Sequence, residues 1–192
     1  FRAARLAGHT RVLSFGGAFS NHIHALALAG AQSGFETIGV IRGEDRASAN
    51  PTLRDATAAG MQLHFVDRDS YRVLTQQRIE DAQRCDELLR DLQQRYGRSY
   101  VIPEGGANRH GVLGCRPLGE AISRLAFLPD HIALPCATGS TLAGIAAGLD
   151  NRSELLGIAV LKGGEFIAEQ VRAQLREIGA WHCTNWSIDT AS

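Results

Sequence analysis

Short β-branched runs alternate with longer helical stretches along the chain, and this alternation limits the fold more than any other feature. Strand-sized runs occupy residues 11–15, 35–41, 61–66, 100–102, 131–134 and 155–161. Between them, apolar spacing predicts helices over residues 20–32, 51–59, 70–96, 117–127 and 141–149. A last helix carries Phe166, Ile167, Val171, Leu175 and Ile178. The stretch from Ile23 to Ala29 is apolar almost all round, which predicts a buried helix. Asn50 before Pro51 is a candidate helix cap. Within residues 70–96, Cys85, Leu88, Leu89, Leu92 and Tyr96 form one face, whereas the part near 75–78 is unclear. Pro117 reads as a helix start with Leu118, Ala121, Ile122 and Leu125 inward.

Strand and helix in alternation imply parallel sheets covered on both faces. The best internal boundary lies near residues 97–103, where one βαβαβα unit ends. The expected fold class is α/β: two open, mostly parallel three-layer α/β domains with a cleft between them. The division expected is 1–98 for a smaller domain and 99–192 for part of a larger one. The chain opens at Phe1 inside what reads as the tail of a helix closing at Gly8, and stops at Ser192 in mid-pattern. The expectation is therefore a chain truncated at both ends.

Composition removes several function classes. Net charge is zero, with 21% charged residues of both signs interspersed, so no footprint for nucleic acid or an anionic membrane is expected. No run of about 18 apolar residues predicts a membrane-spanning helix, and the N-terminus lacks the design of a signal peptide. Cys85, Cys115, Cys136 and Cys183 lie far apart with no C-x-x-C pair, which argues against zinc or a disulfide framework. Reduced cytoplasmic thiols in or near the core are the expectation.

Three loops at strand-to-helix junctions have unusual composition. The first is Gly16-Gly17-Ala18-Phe19-Ser20-Asn21-His22, with a hydroxyl, an amide and an imidazole in succession. Ser20 or Asn21 reads equally as a helix cap. His22 and His24 are two apart, so they do not share a helix face and no metal is expected there. The second loop is Pro103-Glu104-Gly105-Gly106-Ala107-Asn108, where Glu104 is either a buried acid or a turn residue. The third is Pro135-Cys136-Ala137-Thr138-Gly139-Ser140-Thr141. Its small residues let backbone N–H groups converge at a helix start, which suits a phosphate; ordinary capping is the alternative. No Walker lysine, G-x-G-x-x-G or G-x-S-x-G accompanies these loops.

Taken together, Ser14 to His22, Tyr100 to Asn108, and Ala137-Thr138-Gly139-Ser140-Thr141-Leu142-Ala143-Gly144 resemble one family. It is the aminocyclopropane-carboxylate deaminase and D-cysteine desulfhydrase group of the tryptophan-synthase-β-like, fold type II pyridoxal-phosphate enzymes. The resemblance implies a cytoplasmic, homodimeric deaminase or lyase that uses pyridoxal 5'-phosphate in the cleft on a small amino-acid substrate. It implies that Asn21 hydrogen-bonds the cofactor's ring hydroxyl oxygen. Ser20 would lie near the substrate carboxylate and reacting carbon as the catalytic residue of this chain. Ala137, Thr138, Gly139, Ser140 and Thr141 would hold the phosphate.

Two departures accompany the resemblance. The family's Schiff-base lysine is expected just upstream of Phe1, and Lys162, the only lysine, stands in no matching motif and is expected at a surface helix start. The polar partner of the pyridine nitrogen is expected beyond Ser192. A chain of this kind without its lysine would be a non-catalytic phosphate- or cofactor-binding module, the alternative to an enzyme.

Overall fold

The computed structural model describes residues 1–44, 50–76, 79–160 and 163–190. The expected surface position of Lys162 and the end of the strand expected to reach residue 161 therefore lie outside the described residues. The chain forms two compact units, Phe1–Glu104 and Gly105–Ser192.

In the first unit, α1 (Arg2–Leu6) leads into β1 (Arg11–Gly16), α2 (Asn21–Ser33), β2 (Glu36–Arg42), α3 (Pro51–Ala58) and β3 (Gln62–Val66). Then come α4 (Arg68–Gln76), α5 (Ala82–Tyr96) and β4 (Tyr100–Ile102). All strand pairings are parallel, in the order β3-β2-β1-β4. Alternate residues of β1 and β2 supply two cores. Val12 and Ile41 pack with Ile23, Leu26, Leu53 and Ala56 of α2 and α3. Leu13, Phe15, Ile38 and Val40 pack with Tyr71, Leu74 and Leu92 of α4 and α5. Because both faces of the sheet are covered, its central strands read as nearly unbroken apolar runs. Strand β4 is hydrogen-bonded to β1 with Ser14 opposite Ile102, so it belongs to the first compact unit, which runs to Glu104.

In the second unit, α6 (Arg109–Ile122) precedes β5 (His131–Cys136), α7 (Ser140–Leu149), β6 (Glu154–Ala159), α8 (Phe166–Glu177) and β7 (Trp186–Asp189). The order is β5-β6-β7, again parallel. Leu155 and Ala159 of β6 are buried with Leu142, Ala146, Val171 and Leu175 of α7 and α8. Leu156 and Ile158, on the other face of the sheet, are exposed. Helix cover therefore lies on the face of Leu155 and Ala159.

Several local readings differ from the structure. The 70–96 stretch is divided between α4 and α5, and α4 begins earlier than expected, where the Asp67 carboxylate accepts from the Asp69 and Ser70 N–H groups at 2.9 and 3.0 Å. Helix α6 starts at Arg109, capped by Asn108, and runs through Pro117 instead of starting there. Its inward residues are consequently Val112 and Gly119, while Leu118 and Leu125 are exposed. Gly119 faces α7 because the backbones approach too closely for a side chain: a Cβ there would strike the Ile145 carbonyl. In α2, Ile23, Leu26, Ala27 and Gly30 are buried, but Leu28 is 43% exposed, so one face rather than the whole helix is covered. Phe166, expected inward, is likewise exposed. Strand β7 was not foreseen.

All four cysteines are free; Cys85, Cys136 and Cys183 are buried, and burial pushes their thiols up. Among the described residues, no helix is long and apolar enough to cross a membrane.

Candidate active site

The strand order of the first unit reverses between β1 and its neighbours. The chain moves outward from β1 through β2 to β3, then returns to the other side of β1 with β4. Open α/β sheets bind ligands beyond the carboxyl ends of strands at such a switch point. The Gly16 to His22 turn leaves β1 at that end, and Pro103 and Glu104 leave β4 beside it.

Ser20 caps α2, its Oγ accepting from the Ile23 N–H at 3.3 Å. Asn21 is the first residue of α2 and is exposed, so its amide is accessible. Gly16 makes the tight turn possible: a Cβ there would lie 2.5 Å from Ile23 Cγ1 and 2.8 Å from Ser20 Oγ.

His22 anchors the turn from below. Its Nε2 lies 2.8 Å from Ser14 Oγ, and the Ser14 hydroxyl donates to the Ile102 carbonyl at 2.9 Å. Ser14 has one hydroxyl hydrogen, and the carbonyl can only accept. With that hydrogen on Ile102, Nε2 of the neutral imidazole donates to Ser14 Oγ. The network ties the start of α2 to the carboxyl ends of β1 and β4. His24 stands apart, 3.7 Å from the Asp55 carboxylate on the α3 side.

Burial lowers the pKa of His22 below its ordinary value of 6.5. The unfolded chain therefore binds a proton there more readily than the folded one. Stability from this group is complete above pH 6.5 and is lost as pH falls through the lower folded pKa. We expect thermal unfolding to show this loss on the acid side and His22→Gln to reduce it. His64, lowered by burial and then by Arg95, retains a share. An acid-side slope unchanged in the variant would contradict the assignment.

In the second loop, Glu104 accepts a 2.6 Å hydrogen bond from Tyr71 Oη. The Arg42 guanidinium lies 5.5 Å from the centre of the Tyr71 ring. Burial, then the carboxylate, pushes the tyrosine pKa upward. Glu104 is thus a half-buried turn residue with a fixed partner. The following Gly105 has φ +64°, and a Cβ there would meet Thr138 at 2.8 Å. The glycine turn and the third loop are therefore packed together within the second unit.

The third loop leaves β5 and enters α7 through Gly139, the N-cap, at φ +74°. The α2, α3 and α6 caps (Ser20, Asn50 and Asn108) accept backbone hydrogens through their side chains. Gly139 has no side chain to do so, leaving first-turn N–H groups and the helix's partial positive charge for a ligand. Ala137 and Thr141 are exposed, Thr138 is half-buried, and Gly139 and Ser140 are buried. Ser140 Oγ lies 3.4 Å from Thr138 Oγ1.

One residue near this loop escaped the reading of the sequence. Gln174 of α8, 8% exposed, donates through Nε2 to the Thr138 carbonyl and to Ser140 Oγ, each at 3.2 Å. Its Oε1 is buried without a partner among the described residues. The signal was present: a polar residue on the apolar stripe of Ile167, Val171 and Leu175.

A model of the family described as pyridoxal-phosphate-dependent enzymes matches residues 3–176. The chain belongs to that family. A putative 1-aminocyclopropane-1-carboxylate deaminase of Pyrococcus horikoshii is 29% identical over 171 residues, covering 86% of this chain and 50% of the relative. A nocardicin C-9' epimerase of Nocardia uniformis subsp. tsuyamanensis is 39% identical over 153 residues, covering 77% and 44%. Among solved structures, a homologue of aminocyclopropane-carboxylate deaminase superposes with TM-score 0.77 at 23% identity, covering 98% of this chain and 58% of that one. The chain spans about half the length of these curated relatives.

The family cofactor is pyridoxal 5'-phosphate, and the third loop fits its phosphate chemically. A side chain at Gly139 would be barred by Val171, 2.5 Å from the Cβ position. The helix start is uncapped by any side chain, with the Ser140 and Thr138 hydroxyls beside it. No lysine or arginine is needed to hold a phosphate in such a cradle. Away from it, at the opposite end of α7, Asp150, His182 and Cys183 bring potential metal-ligating atoms within 4.8 Å of one another. That cluster is about 15 Å along the helix and takes no part in the cradle.

Proposed function

We propose that the protein is a pyridoxal-phosphate-dependent deaminase or lyase for a small amino acid of the aminocyclopropane-carboxylate or D-cysteine type, releasing ammonia and a keto acid. The observation that carries this reading is Ser20 and Asn21 standing beyond β1 at the switch point next to β4. Similarity to the deaminase relative supports the reaction class.

Within this reading, Asn21 hydrogen-bonds the cofactor's ring hydroxyl oxygen. The backbone of Ala137 to Thr141, with the Thr138, Ser140 and Thr141 hydroxyls, holds the phosphate. When bound, the cofactor supplies an electron sink for the charge left when a bond at the amino-bearing carbon breaks. Ser20 supplies the local acid–base chemistry. Its Oγ accepts from Ile23 N–H, which leaves its hydroxyl hydrogen free to bind the substrate carboxylate or move to the reacting carbon. His22 holds the turn that aims Ser20. The functional unit of this reading is a cytoplasmic homodimer.

For Ser20→Ala we expect cofactor binding to be retained while turnover falls by about a hundredfold or more. Loss of the cap also lowers stability by about 1 kcal/mol. Release of ammonia and keto acid from a panel of D- and L-amino acids and aminocyclopropane-carboxylate tests both the reading and the variant. Full activity in Ser20→Ala removes Ser20 from the chemistry.

The 39% identity to an epimerase favours a second reading, in which a proton leaves and returns at one carbon with inversion. The same panel separates the two. Epimerisation changes optical rotation without releasing ammonia.

A further inference from the structure

We propose that Gln174 is a positioning residue that locks the Thr138–Gly139 peptide plane, so that the Gly139 N–H faces the phosphate of the cofactor. This inference rests on the reading of residues 137–141 as the phosphate loop.

The geometry begins with the donor. Gln174 lies on α8, is almost wholly buried, and sends both amide hydrogens into the loop. One goes to the Thr138 carbonyl, which can only accept, so the amide orientation is settled by its partner. A trans peptide is planar, with its C=O and N–H pointing in opposite directions. Holding the Thr138 carbonyl toward α8 therefore turns the Gly139 N–H away from α8, to the open side of the loop.

That orientation needs holding because Gly139 is the residue that follows the peptide. Its φ is +74°, and glycine occupies positive and negative φ about equally well. The Thr138–Gly139 plane can therefore flip at little cost to Gly139 itself. A flipped plane would point a carbonyl oxygen at the anion and remove one N–H from the cradle. The second hydrogen bond acts in the same direction. By donating to Ser140 Oγ, Gln174 occupies an acceptor site there, and the Ser140 hydroxyl hydrogen is left to point elsewhere.

Stability alone does not explain a glutamine at this position. Oε1 is buried with no partner among the described residues, which costs free energy that a methionine of similar size would avoid. The apolar neighbours Ile167, Val171 and Leu175 would accept that methionine. The residue is therefore accounted for by what its Nε2 does to the loop.

The test compares affinities for pyridoxal 5'-phosphate and for pyridoxal, which lacks the phosphate, by equilibrium dialysis. It uses the protein, Gln174→Met and Gln174→Leu; neither variant can donate to the Thr138 carbonyl. We expect both variants to lose about tenfold in affinity for the phosphorylated form, with pyridoxal affinity unchanged. Thermal unfolding shows that each variant is folded at the temperature of the dialysis. If the parent prefers the phosphorylated form and both variants keep that preference, the lock is wrong while the phosphate loop stands. A parent with no preference overturns the loop reading, and the lock with it. Equal losses for both ligands mark Gln174 as merely structural and also overturn the lock. Should Gln174→Met fail to fold, the ratio of the two affinities in Gln174→Leu decides alone.

Discussion

We expect Gly139→Val to abolish retention of pyridoxal phosphate. Two independent effects act on the same residue. The backbone sits at φ +74°, the left-handed region, where a non-glycine residue costs about 1–2 kcal/mol and a β-branched one is worse. The new Cβ would also lie 2.5 Å from Val171 Cγ2, with Ile167 Cγ2 at 3.5 Å, so α8 would have to shift or the loop to rotate. Overpacking of this kind costs about 1–3 kcal/mol. The strain can be relieved by rotating Gly139 toward negative φ, which swings the first-turn N–H groups of α7 off the ligand. A loss of roughly 3 kcal/mol in binding is more than a hundredfold in affinity. Absorbance of bound cofactor after gel filtration measures it, with thermal unfolding to show that the second unit persists. A valine variant that retains the cofactor would remove the loop from the phosphate site.

We expect Gly144→Leu to unfold the second unit. Helices α6 and α7 cross on a seam of glycines, Gly119 on one and Gly144 and Gly148 on the other. A Cβ at Gly144 would lie 2.5 Å from the Val112 carbonyl and against Cys115 Cβ. At Gly148 it would lie 2.6 Å from the Glu120 N atom. Backbone atoms cannot turn aside as a side chain does, so the helices must separate. Separation opens the buried contacts around Val112, Leu142 and Ile145. The expected destabilisation is about 3 kcal/mol or more, a large fraction of the stability of a domain. Urea unfolding followed by far-ultraviolet circular dichroism reads it directly. An unchanged midpoint would show that α6 and α7 are not packed as closely as the structure describes.

Much of the site was legible because its signals are local. Ser20 and Asn50 read as caps from residue type and from the apolar runs that follow, and both cap helices. The Ala137 to Thr141 loop read as either a phosphate cradle or an ordinary helix start from its small residues, and a helix does begin there, at Ser140. Other readings missed because the deciding partner is remote in sequence. Pro117 looked like a helix start, yet Asn108 caps the helix earlier and α6 continues through the proline. Leu118 looked inward, yet Gly119 faces α7, because closeness of backbones outweighs side-chain hydrophobicity at that contact. His22 offered no local clue to Ser14, eight residues back, or to the Ile102 carbonyl beyond it.

The chain by itself determined the alternation of strands and helices, the positions of the three loops and the caps at Ser20 and Asn50. These depend on interactions spanning a few residues, so periodicity and residue type express them directly. Only the tertiary structure decided that β4 lies beside β1, making the Ser20-Asn21-His22 turn a switch-point turn. It alone brought Gly105 against Thr138 and carried Gln174 to the carbonyl of Thr138. Those outcomes depend on which apolar faces bury each other across many residues, and a strand's own sequence does not name its neighbour.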